Sequence, residues 1–96
     1  MARRKEMSKA KQELLKKQAM ISVIQSVIND IEWNYNNVAE KLDNTRLSFK
    51  EFQEGYTGDE PIEDNYNYID YLATIDERQT TLEAYETVQN ALLKLI

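Results

Sequence analysis

Cysteine and histidine are both absent from this 96-residue chain. Without cysteine there is no disulfide, no thiolate metal site and no cysteine nucleophile. Without histidine the commonest general base and the commonest metal ligand are gone as well. Glycine occurs twice and proline once, so little interrupts a regular backbone, which favours a few long helices over many short strands. No stretch approaches the ~18 unbroken apolar residues of a membrane span. The start, Met1-Ala2-Arg3-Arg4-Lys5, is basic like a signal peptide, but no uninterrupted apolar core follows before Lys16 and Lys17. The expectation is a soluble, cytoplasmic protein, with secretion without a cleavable signal peptide left open.

Charge is present but unevenly spread. Residues 1–17 hold Arg3, Arg4, Lys5, Lys9, Lys11, Lys16 and Lys17 against Glu6 and Glu13, while the rest of the chain holds 5 basic and 15 acidic groups, for a net −5 overall. A basic arm therefore precedes an acidic body.

The strongest positive signal is periodicity. Stepping by seven from Met7 gives Leu14, Ile21, Ile28, Tyr35, Leu42, Phe49 and Tyr56; three residues further on lie Ala10, Lys17, Ile24, Ile31, Val38, Thr45 and Phe52. This is a heptad of the coiled-coil type, and no alternation at period two competes with it. It predicts a first helix over about residues 4–55, a turn at 56–61 and a second helix over 62–96, all in one domain spanning 1–96. Gly55 and Gly58 offer left-handed positions to end the first helix. Pro61 suits the first turn of the second, with Asp59 or Asp64 as its cap. On the second helix, Tyr68, Leu72, Ile75, Gln79, Leu82, Tyr85, Gln89, Leu92 and Ile96 form the apolar face. The fold class is all-α, a long antiparallel two-helix hairpin resembling a coiled coil and completed by a second chain. A three-helix bundle is the alternative, if Asn34, Asn36 and Asn37 break the first helix. Tyr66, Tyr68 and Tyr71 are expected to pack on Phe49, Phe52 and Tyr56. Lys17, Thr45, Gln79 and Gln89 are the polar residues expected inside the seam, where they would fix alignment.

The two helices differ in length, so residues 1–20 project beyond the second helix. Met7, Leu14 and Leu15 are apolar there, and next to them Met20, Ile21, Val23, Ile24, Val27, Ile28 and Ile31 form a stripe too wide for one neighbour. Trp33 and Leu47 fall on the face opposite the seam. The residues expected to contact a partner are Met7, Leu14, Leu15, Met20, Val23, Ile24, Val27, Trp33 and Leu47.

Catalytic and metal chemistry finds little to use. Ser8, Ser22, Ser26 and Ser48 have no imidazole to activate them, and no Gly-rich turn presents a nucleophile. A di-iron bundle needs Glu-x-x-His. The run Asp59-Glu60-Pro61-Ile62-Glu63-Asp64 shares only its charge with a calcium loop. The expectation is a protein without enzymatic activity, without cofactor and without metal; a site of Arg, Lys and Glu between helices is the remaining catalytic alternative.

In architecture such a hairpin resembles the small secreted Trp-x-Gly proteins of type VII secretion and their helical partners. The turn here reads Gln53-Glu54-Gly55-Tyr56, without Trp, and Trp33 heads Trp33-Asn34-Tyr35 in mid-helix. Tyr66 with Asp70 and Tyr56 with Glu60 match the Tyr-x-x-x-Asp/Glu spacing of that family's signal, but they precede or open the second helix rather than trail it. The resemblance covers architecture, not motif.

Three functions fit the sequence. The first is a non-enzymatic assembly or interaction module (an adaptor, a chaperone-like protein or a structural accessory) whose partner is another copy, as a dimer, or a heterologous helical protein. The second is a small acidic inhibitor, of the kind phages encode, that occupies a nucleic-acid-binding surface on a host protein. The third is nucleic-acid binding through the basic arm, which the acidic body and the lack of aromatics in the arm disfavour. No membrane partner is expected.

Overall fold

The structure, a computed structural model, describes residues 8–96. Helix α1 spans Lys9–Glu54, 46 residues, and helix α2 spans Tyr66–Leu93, 28 residues; a single 3-10 turn at Ile62–Asp64 lies between them. The helices fold back on each other as an antiparallel hairpin, 89 Å long and 16 × 15 Å across. Its radius of gyration is 23.9 Å, about twice the ~12.5 Å of a compact chain of this length. Among the described residues there is no strand.

Helix α1 starts where Ser8 caps it: the Ser8 Oγ accepts from the Lys11 backbone N–H at 3.1 Å, occupying one of the amides that a helix start leaves without a partner. Residues 4–7 of the expected helix lie outside the described residues. The helix runs unbroken through Asn34, Asn36 and Asn37, which removes the three-helix alternative. One reason is local: the Asn34 side-chain amide donates to the Asp30 carbonyl at 3.0 Å, so it follows the helix instead of competing with it.

The turn differs from expectation in its details. Gly55 ends α1 with φ −93°, and neither glycine adopts a left-handed conformation. Gly58 is required for space instead, because a Cβ there would run into the Tyr56 ring. The Tyr56 hydroxyl donates to the Glu60 carbonyl at 2.8 Å, and the Asn65 amide donates to the Glu60 carboxylate at 3.2 Å. Residues 62–64 wind as the 3-10 turn, so α2 begins at Tyr66 rather than 62. Its cap is Asn65, whose side-chain oxygen accepts from the Asn67 N–H at 2.9 Å; neither Asp59 nor Asp64 takes that role.

Opposing residues define the register. Phe49 stacks on Tyr71 (5.4 Å between ring centroids) and meets Tyr68 edge-on (5.3 Å), while Phe52 contacts Tyr71 and Tyr56. These rings latch the hairpin beside its turn. Tyr66, 79% exposed, stays outside the cluster. Farther along, Arg78 reaches the Lys41 carbonyl and the Thr45 hydroxyl, and Tyr35 reaches Glu86. Extending that register sets Ile28 level with Leu92 and Ile24 level with Ile96.

The seam of α2 keeps Tyr68, Ile75, Leu82, Tyr85, Gln89 and Leu92 as expected but departs at two positions: Tyr71 and Arg78 turn inward in place of the expected Leu72 and Gln79, and those two are exposed. Ile96 is exposed because it lies beyond the end of α2. The physical reason is regularity. The inward set alternates steps of three and four throughout; a seam through Leu72 and Gln79 needs two consecutive steps of three at Leu82 and Tyr85, which would rotate the face away from α1. Thr45 and Gln89 are half-buried in the seam, and Lys17 is exposed because α2 ends before reaching it.

Burial is thin. Ile28 and Leu42 alone among the described residues are buried, at 8% and 4% exposure, because a two-helix seam covers each side chain from one direction only. Truncating Leu42→Ala should cost about 2 kcal/mol, the lower end of the range for core leucines. Leu72→Ala should stay within about 0.5 kcal/mol. Urea unfolding of both variants checks the phase of α2, since equal losses would restore Leu72 to the seam.

Candidate interaction surface

The surface of interest is built by the mismatch in helix length. Helix α1 has 46 residues and α2 has 28, so 18 residues of α1, about 27 Å at 1.5 Å per residue, overhang the open end of the hairpin. Over this overhang every described residue before Ile21 is exposed.

Apolar side chains crowd there. Leu14 is 54% exposed, Met20 65% and Val23 62%, with Leu15 and Val27 at 42% and 41%. Ile24 is half-buried beside them. Opposite them, Val88 on α2 and Leu95 and Ile96 just past its end are also exposed. Met20 and Val27 occupy the heptad position just before the seam residues Ile21 and Ile28; Val88 and Leu95 occupy the same position before Gln89 and Ile96. Reversing one helix of a pair mirrors its wheel, so these two positions share one flank of an antiparallel hairpin. Val23 is three residues on from Met20 and four before Val27, and so joins the same flank.

That flank changes character along its length. Nearer the turn the same heptad position is held by Asn34, Lys41 and Ser48 on α1 and by Thr74 and Thr81 on α2. There Lys41, Asn44, Thr45, Ser48, Tyr71 and Arg78 line a shallow open notch of about 240 Å³. Arg78 is half-buried, and its guanidinium is held by the Lys41 carbonyl and the Thr45 hydroxyl. Across the seam at the open end lie Gln18, Gln25 and Glu32 on α1 and Glu86 and the exposed Leu93 on α2. The flank of Met20, Val23 and Val27 thus sets exposed apolar side chains in a row, while others stand at Leu15 and Leu93 across the seam and at Ile69 and Leu72 nearer the turn.

Not every expected contact residue joins it. Trp33, 67% exposed, and Leu47, 58% exposed, lie on the outer face, two heptads and about 21 Å apart, each alone. Leu15 lies on the far side of the seam from Val23, and Met7 lies outside the described residues. Val88 and Leu95 are the additions from α2. They stand one residue before Gln89 and Ile96, both on the face expected for the second helix, so the sequence carried the signal for them.

Two tyrosines are electrostatically perturbed. The Tyr35 hydroxyl donates to the Glu86 Oε1 at 2.9 Å, and that hydrogen bond, helped by the carboxylate's charge and by slight desolvation, raises its pKa above the usual tyrosine value. Tyr56 is raised too, chiefly by desolvation and then by Glu60, against a lowering by Asn65. Among the described residues no group of acidic side chains is arranged to hold a metal ion, and no helix is long and apolar enough to cross a membrane.

No protein-family model matches the chain, and neither a curated protein nor a solved structure shows significant similarity to it.

The Tyr35–Glu86 bond fixes a pH dependence. The folded state holds the phenolic proton more tightly than the unfolded state, so its contribution is complete below about pH 10, the unfolded value, and is lost as pH rises through the higher folded one. Alkaline titration of thermal stability should therefore show a smaller decline in Tyr35→Phe than in the parent, with Tyr56 supplying what remains. An unchanged alkaline decline would mean that this bond does not clamp the helices in solution.

Proposed function

We propose that this chain is a non-enzymatic protein–protein interaction module, an assembly or adaptor hairpin whose docking surface is the open end of the α1–α2 pair. One observation carries the reading: 18 residues of α1 extend past α2, and the apolar flank of Met20, Val23 and Val27 continues onto Val88 and Leu95. Exposed apolar residues scattered singly are ordinary, whereas a contiguous patch on one side is the usual mark of an interface. Covering a half-exposed Val, Leu or Met gains roughly 1 kcal/mol, about half the value for complete burial. Five such side chains offset part of the cost of association and leave the remainder to charge and further contacts.

The surface available agrees with this. The accessible surface is 7882 Å², against about 5,700 Å² for a compact monomer of this mass. The excess is more than twice the ~800 Å² that a stable interface takes from each partner. A helix of the partner, laid along the flank, is the element that fits a groove between two helices.

The reading is tested by placing a photoreactive phenylalanine analogue at Val23 and, in a second protein, at Glu83 on the polar side of α2. Irradiation in cells that carry the chain should give a discrete adduct from position 23 and none from position 83. Adding Met20→Glu and Val27→Glu should remove the adduct while helix content, read by circular dichroism, is kept. Equal adducts from both positions, or none from position 23, would refute the open end as a docking surface.

A further inference from the structure

Charge at the open end is arranged against the helices that carry it. Helix α1 begins with Lys9 and Lys11 and has no acidic residue in its first turn, so cations sit on its own positive pole. Helix α2 ends there with no basic residue in its last turn, and Lys94 at the cap is its one nearby cation. Each arrangement is unfavourable, or at best uncompensated, in an isolated hairpin. The overhang is net basic, with Lys9, Lys11, Lys16 and Lys17 against Glu13, and the neighbouring stretch holds Asp30, Glu32 and Glu86.

We propose that the occupant of the open end is a second copy of this chain, running antiparallel, so that each overhang lies along the other copy's α1. This rests on the reading of the open end as a docking surface and names its partner. In this arrangement the basic start of each α1 arrives beside the negative pole of the other copy's α2 and toward Asp30, which is seven residues on from Val23 and shares its flank. Both poles are then compensated by one contact, made twice. The contact is made by the apolar flank of each copy, Met20, Val23 and Val27, and pairing it with the same flank of a second copy closes a two-fold interface. Parallel pairing would set Lys9, Lys11, Lys16 and Lys17 beside their own copies. The antiparallel pairing leaves only Lys16 and Lys17 close to the axis, where long aliphatic stems can lie on the apolar surface with the ammonium groups in water.

The absence of cysteine makes the arrangement directly readable. Full-length protein should sediment as a dimer, and Val23→Glu combined with Val27→Glu should weaken the dimer by at least about a hundredfold, the loss of two buried valines, while helix content stays. With a short bismaleimide, a mixture of Lys9→Cys and Val23→Cys proteins should crosslink between unlike chains, Lys9→Cys alone should crosslink poorly, and Lys16→Cys alone should crosslink well. Efficient crosslinking of Lys9→Cys with itself would overturn the antiparallel arrangement. A full-length chain that stays monomeric at high micromolar concentration would overturn the second copy as occupant, as would a dimer indifferent to the Val23 and Val27 changes. The docking reading itself is judged apart from this: a monomer that still gives a position-23 adduct of foreign mass keeps the surface and changes its partner, whereas a monomer with no adduct removes both.

Discussion

Two helices meeting along one seam cannot enclose anything. Each side chain at the contact is covered by the facing helix and left open on both flanks, which is why Ile28 and Leu42 are the only buried side chains among the described residues. Everything else in the molecule follows from that constraint. Stability has to come from many half-buried contacts in series, and the strongest of them, the Phe49, Phe52, Tyr68 and Tyr71 rings, sit next to the turn. There the loop closed between the helices is shortest and ordering costs least. The Glu60 carboxylate and carbonyl, tied to Asn65 and Tyr56, stiffen the same end. The hairpin is therefore best held where the chain reverses and least held where it opens.

The same constraint explains what could be read from the sequence. Helix, turn and overhang all depend on the period and on the lengths of two patterned runs, both visible without coordinates. The phase of α2 was harder to see. Leu72 is apolar and Arg78 is charged, so composition favours the wrong residue at both positions. What decides is geometry: α1 already presents Phe49 and Phe52 to Tyr71, and Arg78 finds a carbonyl and a hydroxyl to bond. Hydrogen bonding lets an arginine occupy a seam that hydropathy would deny it. Val88 and Leu95 precede Gln89 and Ile96, which the expected face already contained, so the α2 half of the candidate surface was legible, and what stayed hidden was the inward face of α2 nearer the turn. The glycines show a further limit. Their composition suggests left-handed caps, yet Gly58 is there because the Tyr56 ring occupies the space of a side chain.

The polarity of the flanks separates two tasks along one rod. Toward the turn, Lys41, Ser48, Thr74, Thr81 and the Arg78 notch give a surface that water can satisfy. Toward the open end, the corresponding positions are Met20, Val27, Val88 and Leu95. A hairpin whose flank were apolar throughout would associate in many registers. Restricting the apolar segment to one end limits association to that end, and the alternation of charge between arm and body limits its direction.

Local helix propensity adds a dynamic side to this division. From Lys9 to Met20 the overhang is almost entirely Ala, Leu, Lys, Gln, Glu and Met, strong helix formers, with Glu13 placed four residues before Lys17 where such a pair supports a helix. From Ile21 to Ile28 the composition reverses to Ile, Val and Ser with a single Gln, residues that lose side-chain freedom in a helix or compete for its backbone. That segment straddles the point where α2 stops. Its helicity is upheld from one side only by packing, and the dozen residues beyond it that α2 does not cover are near the minimum length for a helix that stands alone. Covering Met20, Val23 and Val27 thus does more than remove apolar surface from water. It stabilises a stretch of α1 whose sequence does not favour the helix, so docking at the open end and ordering of the overhang are energetically a single event.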